Sequence, residues 1–394
     1  MSPAPVTPMK FREPGSATWL DLAAPPDLDA ADRDALEKVE KNKRKLHETL
    51  LASLQMQNVV VLAGSGSSLA AGGPSMGDLW DLAVGETPND FAKRVAGLVN
   101  YPIDDKNIEE FLSRAEGYLG LRNDTDVETF LHQSKREILE RCSVFIDAAD
   151  LGAHRTFLHR LSRRRVRDHR LKVFTTNYDL CFERAAGELG CVAVDGFSFS
   201  APRRYDPRFF GYDIVRRPAT GDDMVNYLEG VFLLHKLHGS VNWARSPDGS
   251  IVEDAEPEPK DACLIYPAKG KYQRSFTQPH LESMAQYLAA LREPNTCVLI
   301  VGFGFNDDHL SEPLLAAATT NPHLRLVVVD PAAEASTAGP NRYWTRLAGL
   351  ASRGDDVWFV NTGFDGFSQL IPDLKSLTPA DNLLRTVQRV ARDR

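Results

Sequence analysis

The sequence predicts an α/β protein with a doubly wound, mostly parallel, Rossmann-like sheet and a helical insertion subdomain. Apolar strand-like runs alternate with helix-compatible segments, which is the pattern of parallel strands joined by crossover helices. These runs are continuous rather than alternating, as expected for strands buried on both faces. From about residue 88 to 165 the periodicity is helical throughout, and this stretch is the predicted insertion.

Composition limits the class of protein. The chain has 394 residues, of which 43% are hydrophobic, enough for one large domain or two medium ones. Its apolar runs are shorter than the roughly 18 residues of a membrane span, and the N-terminus lacks a secretory signal pattern. A net charge of −8 argues against nonspecific nucleic-acid binding by the whole surface. We expect a cytoplasmic protein without a membrane segment.

The chain divides into three parts. Residues 1–30 are rich in proline, alanine and aspartate and predict an extended arm or linker. From residue 34 to 54 one helical stripe is expected, so the arm and helix occupy 1–57. The main domain, with its insertion, covers 58–375, and a C-terminal tail covers 376–394. The residues of the predicted stripe are Leu36, Val39, Leu46, Leu50 and Leu54.

Strands are predicted where β-branched runs end in turns. The runs are NVVVLAG from residue 58, KVFTTN from 172, CVLIVGF from 297, LRLVVVD from 324 and DVWFVN from 356. Ligands of such a sheet bind at the carboxyl ends of its strands. The segment 197–228 is expected to be an irregular excursion beside a cleft, and 245–262 a polar loop.

Two further compositional features bear on partners. Five cysteines without a C-x-x-C pair predict reduced, mostly buried thiols and no zinc site. The basic segment HRLSRRRVRDHRLK, residues 159–172, is either a solvated helix face or a surface for phosphate or an acidic partner. DNA binding by this segment is a separate hypothesis.

A glycine-rich turn follows the first predicted strand. Backbone N–H groups at Gly64 and Gly66 could hold a pyrophosphate, although a plain tight turn fits the same residues. Leu69 stands where the dinucleotide fingerprint has its third glycine, and Pro74 soon interrupts any helix. No Gly-Lys-Ser/Thr follows, which excludes a P-loop.

The next three predicted strands also end in residues that could contact a ligand. Thr176, Asn177 and Asp179 are placed where a cleft should lie, or else Asn177 or Asp179 caps the following helix. A late turn contains Gly302 and Gly304. The acidic residue that ends LRLVVVD, Asp330, either binds ribose hydroxyls or terminates the strand.

One histidine is the candidate general base. His238 lies in KLHGSVNW between an apolar run and two small residues, and it is either a reagent or core filler. His235, three residues earlier, suits the core role better. The two form an H-x-x-H pair, but no third metal ligand is spaced to join them.

The order of these motifs resembles the sirtuin family over about residues 58–365. The elements are G-x-G-x-S followed by G-x-P, then T-x-N-x-D, L-H-G-S and a late glycine turn. Members bind NAD and cleave its nicotinamide–ribose bond. The resemblance implies catalytic roles for Asn177, Asp179 and His238. With the residue-level analysis it gives this set of expected NAD contacts: Gly64, Ser65, Gly66, Ser68, Pro74, Thr176, Gly302, Phe303, Gly304 and Asp330.

Two departures narrow the resemblance. Only Cys263 follows His238 before the late turn, so the paired C-x-x-C zinc module is missing, and Ser75, Met76 and Gly77 replace the family's Asp-Phe-Arg. Both features resemble zinc-free sirtuin-like proteins of bacterial anti-phage defence, which hydrolyse NAD beside a hexameric HerA-type ATPase. This resemblance implies an NAD hydrolase that acts as a homo-oligomeric antiviral effector, with NAD as substrate and no zinc.

The chemistry is consistent with that expectation. Nicotinamide leaves as a neutral ring, so the enzyme must stabilise an oxocarbenium-like ribose and does not need a general acid. Asn177 could orient the ribose or a water, and His238 could accept a proton. A different function for the same pocket is a non-hydrolysing sensor of NAD or ADP-ribose that regulates a partner ATPase or nuclease. A protein deacylase is a third function, disfavoured by the missing zinc pairs.

Overall fold

The computed structural model describes residues 9–23, 33–165, 168–216, 226–267 and 277–373. Its strands, in chain order, are β1 Lys10–Arg12, β2 Leu20–Asp21, β3 Asn58–Ala63, β4 Leu171–Thr175, β5 Val192–Val194, β6 Val215–Arg216, β7 Asn226–Tyr227, β8 Val231–Lys236, β9 Gly239–Arg245, β10 Ile251–Glu253, β11 Ala262–Leu264, β12 Thr296–Val301, β13 Leu324–Asp330 and β14 Val357–Asn361. The predicted tail at 376–394 lies outside these described residues.

Helices of this part of the chain are α1 Arg33–Leu54, α2 Met76–Ala83, α3 Asp90–Leu98, α4 Ile108–Leu119, α5 Thr125–Val144, α6 Gly152–Leu161, α7 Cys181–Leu189, α8 His280–Arg292, α9 Asp308–Thr320, α10 Ala333–Ser336, α11 Arg342–Arg353 and α12 Phe364–Leu370. None of the described helices is both long and apolar enough to cross a membrane. The predicted helix at 34–54 is confirmed by α1, but Leu36 is exposed and is not part of its buried stripe.

A nine-stranded sheet organises the fold, in the order β2-β1-β14-β13-β12-β3-β4-β8-β5. The seven strands from β14 to β5 run parallel, while β1 pairs antiparallel with β14. The chain moves from β3 to β4 on one side and later returns to β12 on the other, which makes the β3–β12 edge the topological switch point. Ligands of doubly wound sheets bind outside this point.

Both faces of the sheet are covered, which confirms the doubly wound prediction. Within β3, Val59 and Val61 pack into a core with α1, α6, α7 and α12. Val60 and Leu62 pack into a second core with α8, α9 and α11. All six residues of β3 are therefore buried, which explains the continuous apolar run in the sequence.

Helices α2 to α5 form a separate helical layer. They share a third core, which is completed by Val241, Leu264 and Tyr266 from the small sheet β10-β9-β11 and the residues that follow it. Helix α6 instead packs against α7 and α12 in the first core. We propose bounds of 76–144 for the helical insertion, because they follow this shared core more closely than the predicted 88–165.

The polar-loop prediction was wrong, and the predicted extended arm contains two short strands in its described residues. The predicted N-terminal arm contains β1, which pairs with β14 through Phe11 and Val360, and β2. The predicted polar loop at 245–262 contains β10, which pairs with β9 and buries Ile251. In both cases a short strand is stabilised by pairing with a neighbouring strand, a contribution that local composition does not report.

The basic segment is engaged within the fold. Arg164 is buried and donates hydrogen bonds to the backbone oxygens of Leu54, Met56 and Gln57. Arg170 makes a forked ion pair with Asp213. The interpretation of this segment as a solvated helix face is therefore wrong for Arg164, which closes the end of α1. Residues 166–167 lie outside the described part of the segment.

None of the five cysteines is in a disulfide, and four of them are buried, which confirms the prediction that they are mostly buried.

Candidate functional site

A cavity of about 570 Å³ opens at the carboxyl ends of β3, β4 and β12. One side, the sheet wall, consists of strand ends and their turns: Gly64, Ser65, Ser68, Thr176, Asn177, Tyr178, Asp179, His238, Gly302, Phe303 and Gly304. The opposite side, the insertion wall, consists of residues of the helical insertion: Met76, Gly77, Leu79, Asp105, Lys106, Asn107, Ile108, Glu109 and Cys142. The cavity therefore lies at the switch point, between the sheet and the insertion.

Close backbone contact between two turns builds the floor of the sheet wall. The Gly66 N–H donates to the Gly302 carbonyl oxygen at 3.0 Å. A Cβ on Gly64 would lie 2.5 Å from that same oxygen, and Gly302 has a left-handed φ of +58°. All three glycines are required by close approach, and Gly302 is required by its conformation as well. Gly66 packs in this contact and does not line the cavity.

The segment after Gly64 differs from a dinucleotide fingerprint. It forms two short 3-10 turns, Ser65–Ser67 and Leu69–Ala71, and the first regular helix starts only at Met76. Ser75 and Asp78 cap that helix through reciprocal hydrogen bonds. Any phosphate held here would meet turn N–H groups rather than a long helix dipole. Pro74 also lines the cavity.

Asn177 connects the two halves of the sheet wall. Its side-chain NH₂ donates to the hydroxyl oxygens of Ser67 at 3.1 Å and Ser68 at 2.9 Å, which joins the end of β4 to the turn after β3. The side chain is only 8% exposed yet lines the cavity. Because the hydroxyl contacts hold the amide nitrogen, the orientation of the group is fixed.

Asp179 has the structural role that the sequence left open. Its carboxylate accepts from the Cys181 N–H at 3.1 Å, at the start of α7. Beneath it, the buried Lys236 ammonium donates to the backbone oxygens of Asp179 and of Tyr178 and pairs with Glu183 at 3.1 Å. This network fixes the loop that carries Asn177.

His238 lies beside a second histidine. It is 2% exposed, and its Nε2 atom is 3.2 Å from Nε2 of His309 in the first turn of α9. The carboxylate of Asp307, at the same helix start, is close enough that donor atoms of all three residues lie within 4.8 Å of one another. We call this group the His–Asp–His cluster.

His235 has entirely different surroundings. Its ring stacks against Phe174 at 4.7 Å and against Phe210 at 4.0 Å, and it is 1% exposed. Burial lowers the pKa of His235 to about 3, so it is neutral at physiological pH. This is the core role expected for it from the sequence, and His238 differs because it reaches the cavity.

Some cavity residues were missed and some predicted residues lie elsewhere. Asp330 does not line the cavity, and its carboxylate accepts from the Ala332 N–H at 2.8 Å. Asp307 and His309 were not predicted, although the motif GFGFNDDHL places them directly after the late glycine turn. Burial raises the pKa of the Cys142 thiol to about 12, so this cavity thiol is protonated and is a poor nucleophile.

Comparison with known proteins adds a partial family match. Residues 171–347 match a family model described as SIR2-like domain, and this match spans less than half of the chain. No curated protein matches the chain.

Several solved structures are similar to the chain. One is a Sir2 homologue in complex with NAD, with 14% identity, coverage of 82% of this chain and 91% of that one, and a TM-score of 0.43. A Sir2 homologue variant in complex with ADP-ribose has 13% identity, coverage of 82% and 94%, and a TM-score of 0.42. A Sir2 protein bound to acetylated peptide has 12% identity, coverage of 82% and 95%, and a TM-score of 0.39.

Proposed function

We propose that this protein hydrolyses NAD to nicotinamide and ADP-ribose. The observation that carries the proposal is the convergence of Asn177 and His238 on one cavity, beside the Gly64–Gly302 contact at the switch point of the sheet. An amide can orient the ribose, an imidazole can accept a proton from water, and turn N–H groups can hold a pyrophosphate. The match of residues 171–347 to a SIR2-like domain supports the same chemistry.

In the proposed reaction, the bond between the ribose C1′ and the nicotinamide nitrogen breaks, and nicotinamide leaves with the bonding electron pair. A water oxygen then bonds to C1′, and its proton passes to His238 and on to solvent. Asn177, held by Ser67 and Ser68, positions the ribose or the water.

Purified protein incubated with NAD tests the proposal. We expect release of nicotinamide and ADP-ribose in equal amounts, and a fall of about 100-fold or more in Asn177→Ala and in His238→Ala. The matched control is His323→Ala, because His323 is exposed and does not line the cavity. Undiminished release in both variants, with the fold intact by circular dichroism, would remove these residues from the mechanism.

A second function is favoured by one observation. Because His238 Nε2 lies 3.2 Å from His309 Nε2, this nitrogen is already engaged in a contact within the protein. A non-hydrolysing sensor of NAD or ADP-ribose would retain such a contact. Tight binding of NAD by calorimetry, without any product release, would support the sensor over the hydrolase.

The biological part of the proposal is a role in anti-phage defence. Homo-oligomers that deplete NAD beside a hexameric HerA-type ATPase are what the sequence resemblance implies. If this is right, expression with the neighbouring ATPase should lower cellular NAD during phage infection, and His238→Ala should prevent the fall. Unchanged NAD levels with the wild-type protein would contradict this role.

A further inference from the structure

Three metal-ligand side chains from two distant segments meet at the edge of the cavity. His238 follows β8, whereas Asp307 and His309 come 69 and 71 residues later at the start of α9. Their donor atoms lie within 4.8 Å of one another. The H-x-x-H pattern did not reveal this arrangement, because its other histidine, His235, is stacked between aromatic rings.

The spacing of the two imidazoles fits a transition metal. A zinc–nitrogen bond is about 2.0–2.1 Å, so two nitrogens in a tetrahedral shell lie about 3.3–3.4 Å apart. The Nε2 atoms of His238 and His309 are 3.2 Å apart. Two imidazoles and a carboxylate form a donor set that suits zinc and its neighbours, whereas magnesium and calcium prefer oxygen ligands.

The position of the cluster leaves room for a further ligand. His238 and Asp307 both line the cavity, so the open side of a cation held by the three residues would face the space assigned to the substrate. Three protein ligands and one open position are the arrangement of zinc sites that exchange their fourth ligand.

We propose that the His–Asp–His cluster binds one divalent cation of the zinc type, and that this cation holds NAD hydrolysis off. The lone pair of His238 Nε2 can be donated to a metal or to a proton, but not to both. A metal-bound His238 is therefore unable to act as a base. The inhibitory half of the inference rests on the proposed function, whereas the binding half does not.

Direct binding is measured first, on full-length protein stripped with a chelator. Titration with Zn²⁺ against a chromophoric chelator should show one equivalent per chain, and Co²⁺ should give the intense visible bands of a four-coordinate nitrogen and oxygen site. His309→Ala should weaken binding by more than the roughly 100-fold that loss of an outer-shell partner can cost. Asp307→Asn is a second variant of the cluster. The control, His323→Ala, should bind zinc as the wild type does.

Equal zinc affinity in His309→Ala and wild type would overturn the metal site, as would the absence of binding to folded wild-type protein. Circular dichroism confirms that each variant is folded before it is titrated.

NAD cleavage with and without zinc then tests inhibition. At a zinc concentration about ten times the measured Kd, wild-type activity should fall about tenfold by mass action. In His309→Ala, the cleavage rate with zinc divided by the rate without zinc should stay near one, whatever the absolute rate of this variant. Bound zinc that leaves wild-type cleavage unchanged or accelerates it would overturn the inhibitory half.

The two proposals fail separately in these measurements. A protein that cleaves NAD but binds no zinc contradicts the metal site alone. A protein that binds zinc at the cluster but never releases nicotinamide, even when stripped, contradicts the proposed function and the inhibition together and leaves the site in place.

Discussion

The two walls of the cavity are built in different ways. The sheet wall is made of turns that touch backbone to backbone, and its polar side chains are almost fully buried, with Asn177 at 8% and His238 at 2% exposure. The insertion wall is made largely of side chains on helix starts, and its Met76 is 45% exposed. The difference supports our proposal that the sheet wall positions the reacting groups, whereas the insertion wall covers them.

The largest effect on stability is expected from the loss of one buried cation beneath the sheet wall. Lys236→Met removes the donor for two loop carbonyls and leaves Glu183 without its partner, which should cost about 3–4 kcal/mol of unfolding free energy. The matched change in the insertion is Lys135→Met, because Lys135 pairs with Glu116 at 2.8 Å on a partly exposed surface. We expect about 0.5–1 kcal/mol there. Urea unfolding measures both, and equal losses would contradict the contrast.

The effect of a glycine-to-alanine replacement on stability should have opposite signs in the two regions. Gly64→Ala places a Cβ 2.5 Å from a backbone oxygen and should destabilise the protein by about 2–3 kcal/mol. Gly117 lies within α4, and a Cβ added there would meet open space, so Gly117→Ala should stabilise by up to about 1 kcal/mol. Thermal unfolding of the two variants tests this, and a stable Gly64→Ala variant would show that the turn contact is not tight.

The smallest effect is expected on the insertion wall. Met76→Ala removes an apolar contact from the cavity without touching the sheet wall, so KM for NAD should rise about three- to fivefold while kcat is unchanged. Leu69→Ala is the control, since Leu69 is similarly exposed but does not line the cavity. Steady-state kinetics distinguishes the two. A fall in kcat for Met76→Ala would place the insertion wall in the chemistry.

The sheet wall could be predicted from the sequence because strand geometry is repetitive. Once runs such as NVVVLAG and KVFTTN are assigned as parallel strands, their carboxyl ends must meet at one edge. Gly64, Asn177 and Gly302 could therefore be predicted to lie close together, and the structure places them so. His238 follows β8, a strand visible in the sequence only as an apolar run, and it reaches the same cavity.

The insertion wall and the His–Asp–His cluster could not be derived in this way. Which helix start faces the sheet depends on how α2 to α5 pack against β9, and no local pattern encodes that contact. Likewise, in the sequence His309 looks like an ordinary first-turn residue. Its neighbour in space, His238, follows a strand on the opposite side of the switch point. Asp179 is a different case. The sequence offered a helix cap and a cavity position as alternatives, and the residue has both.

The pairing of β1 with β14 has a consequence for biosynthesis. Lys10 lies opposite Asn361, so this border of the sheet forms only after the ribosome has made β14. Until then the edge of β1 that faces β14 is unpaired, while β3, β4 and β8 can already associate. Completion of this border of the sheet thus waits until β14 has left the ribosome, and until then the unpaired strand edge is a site for aggregation.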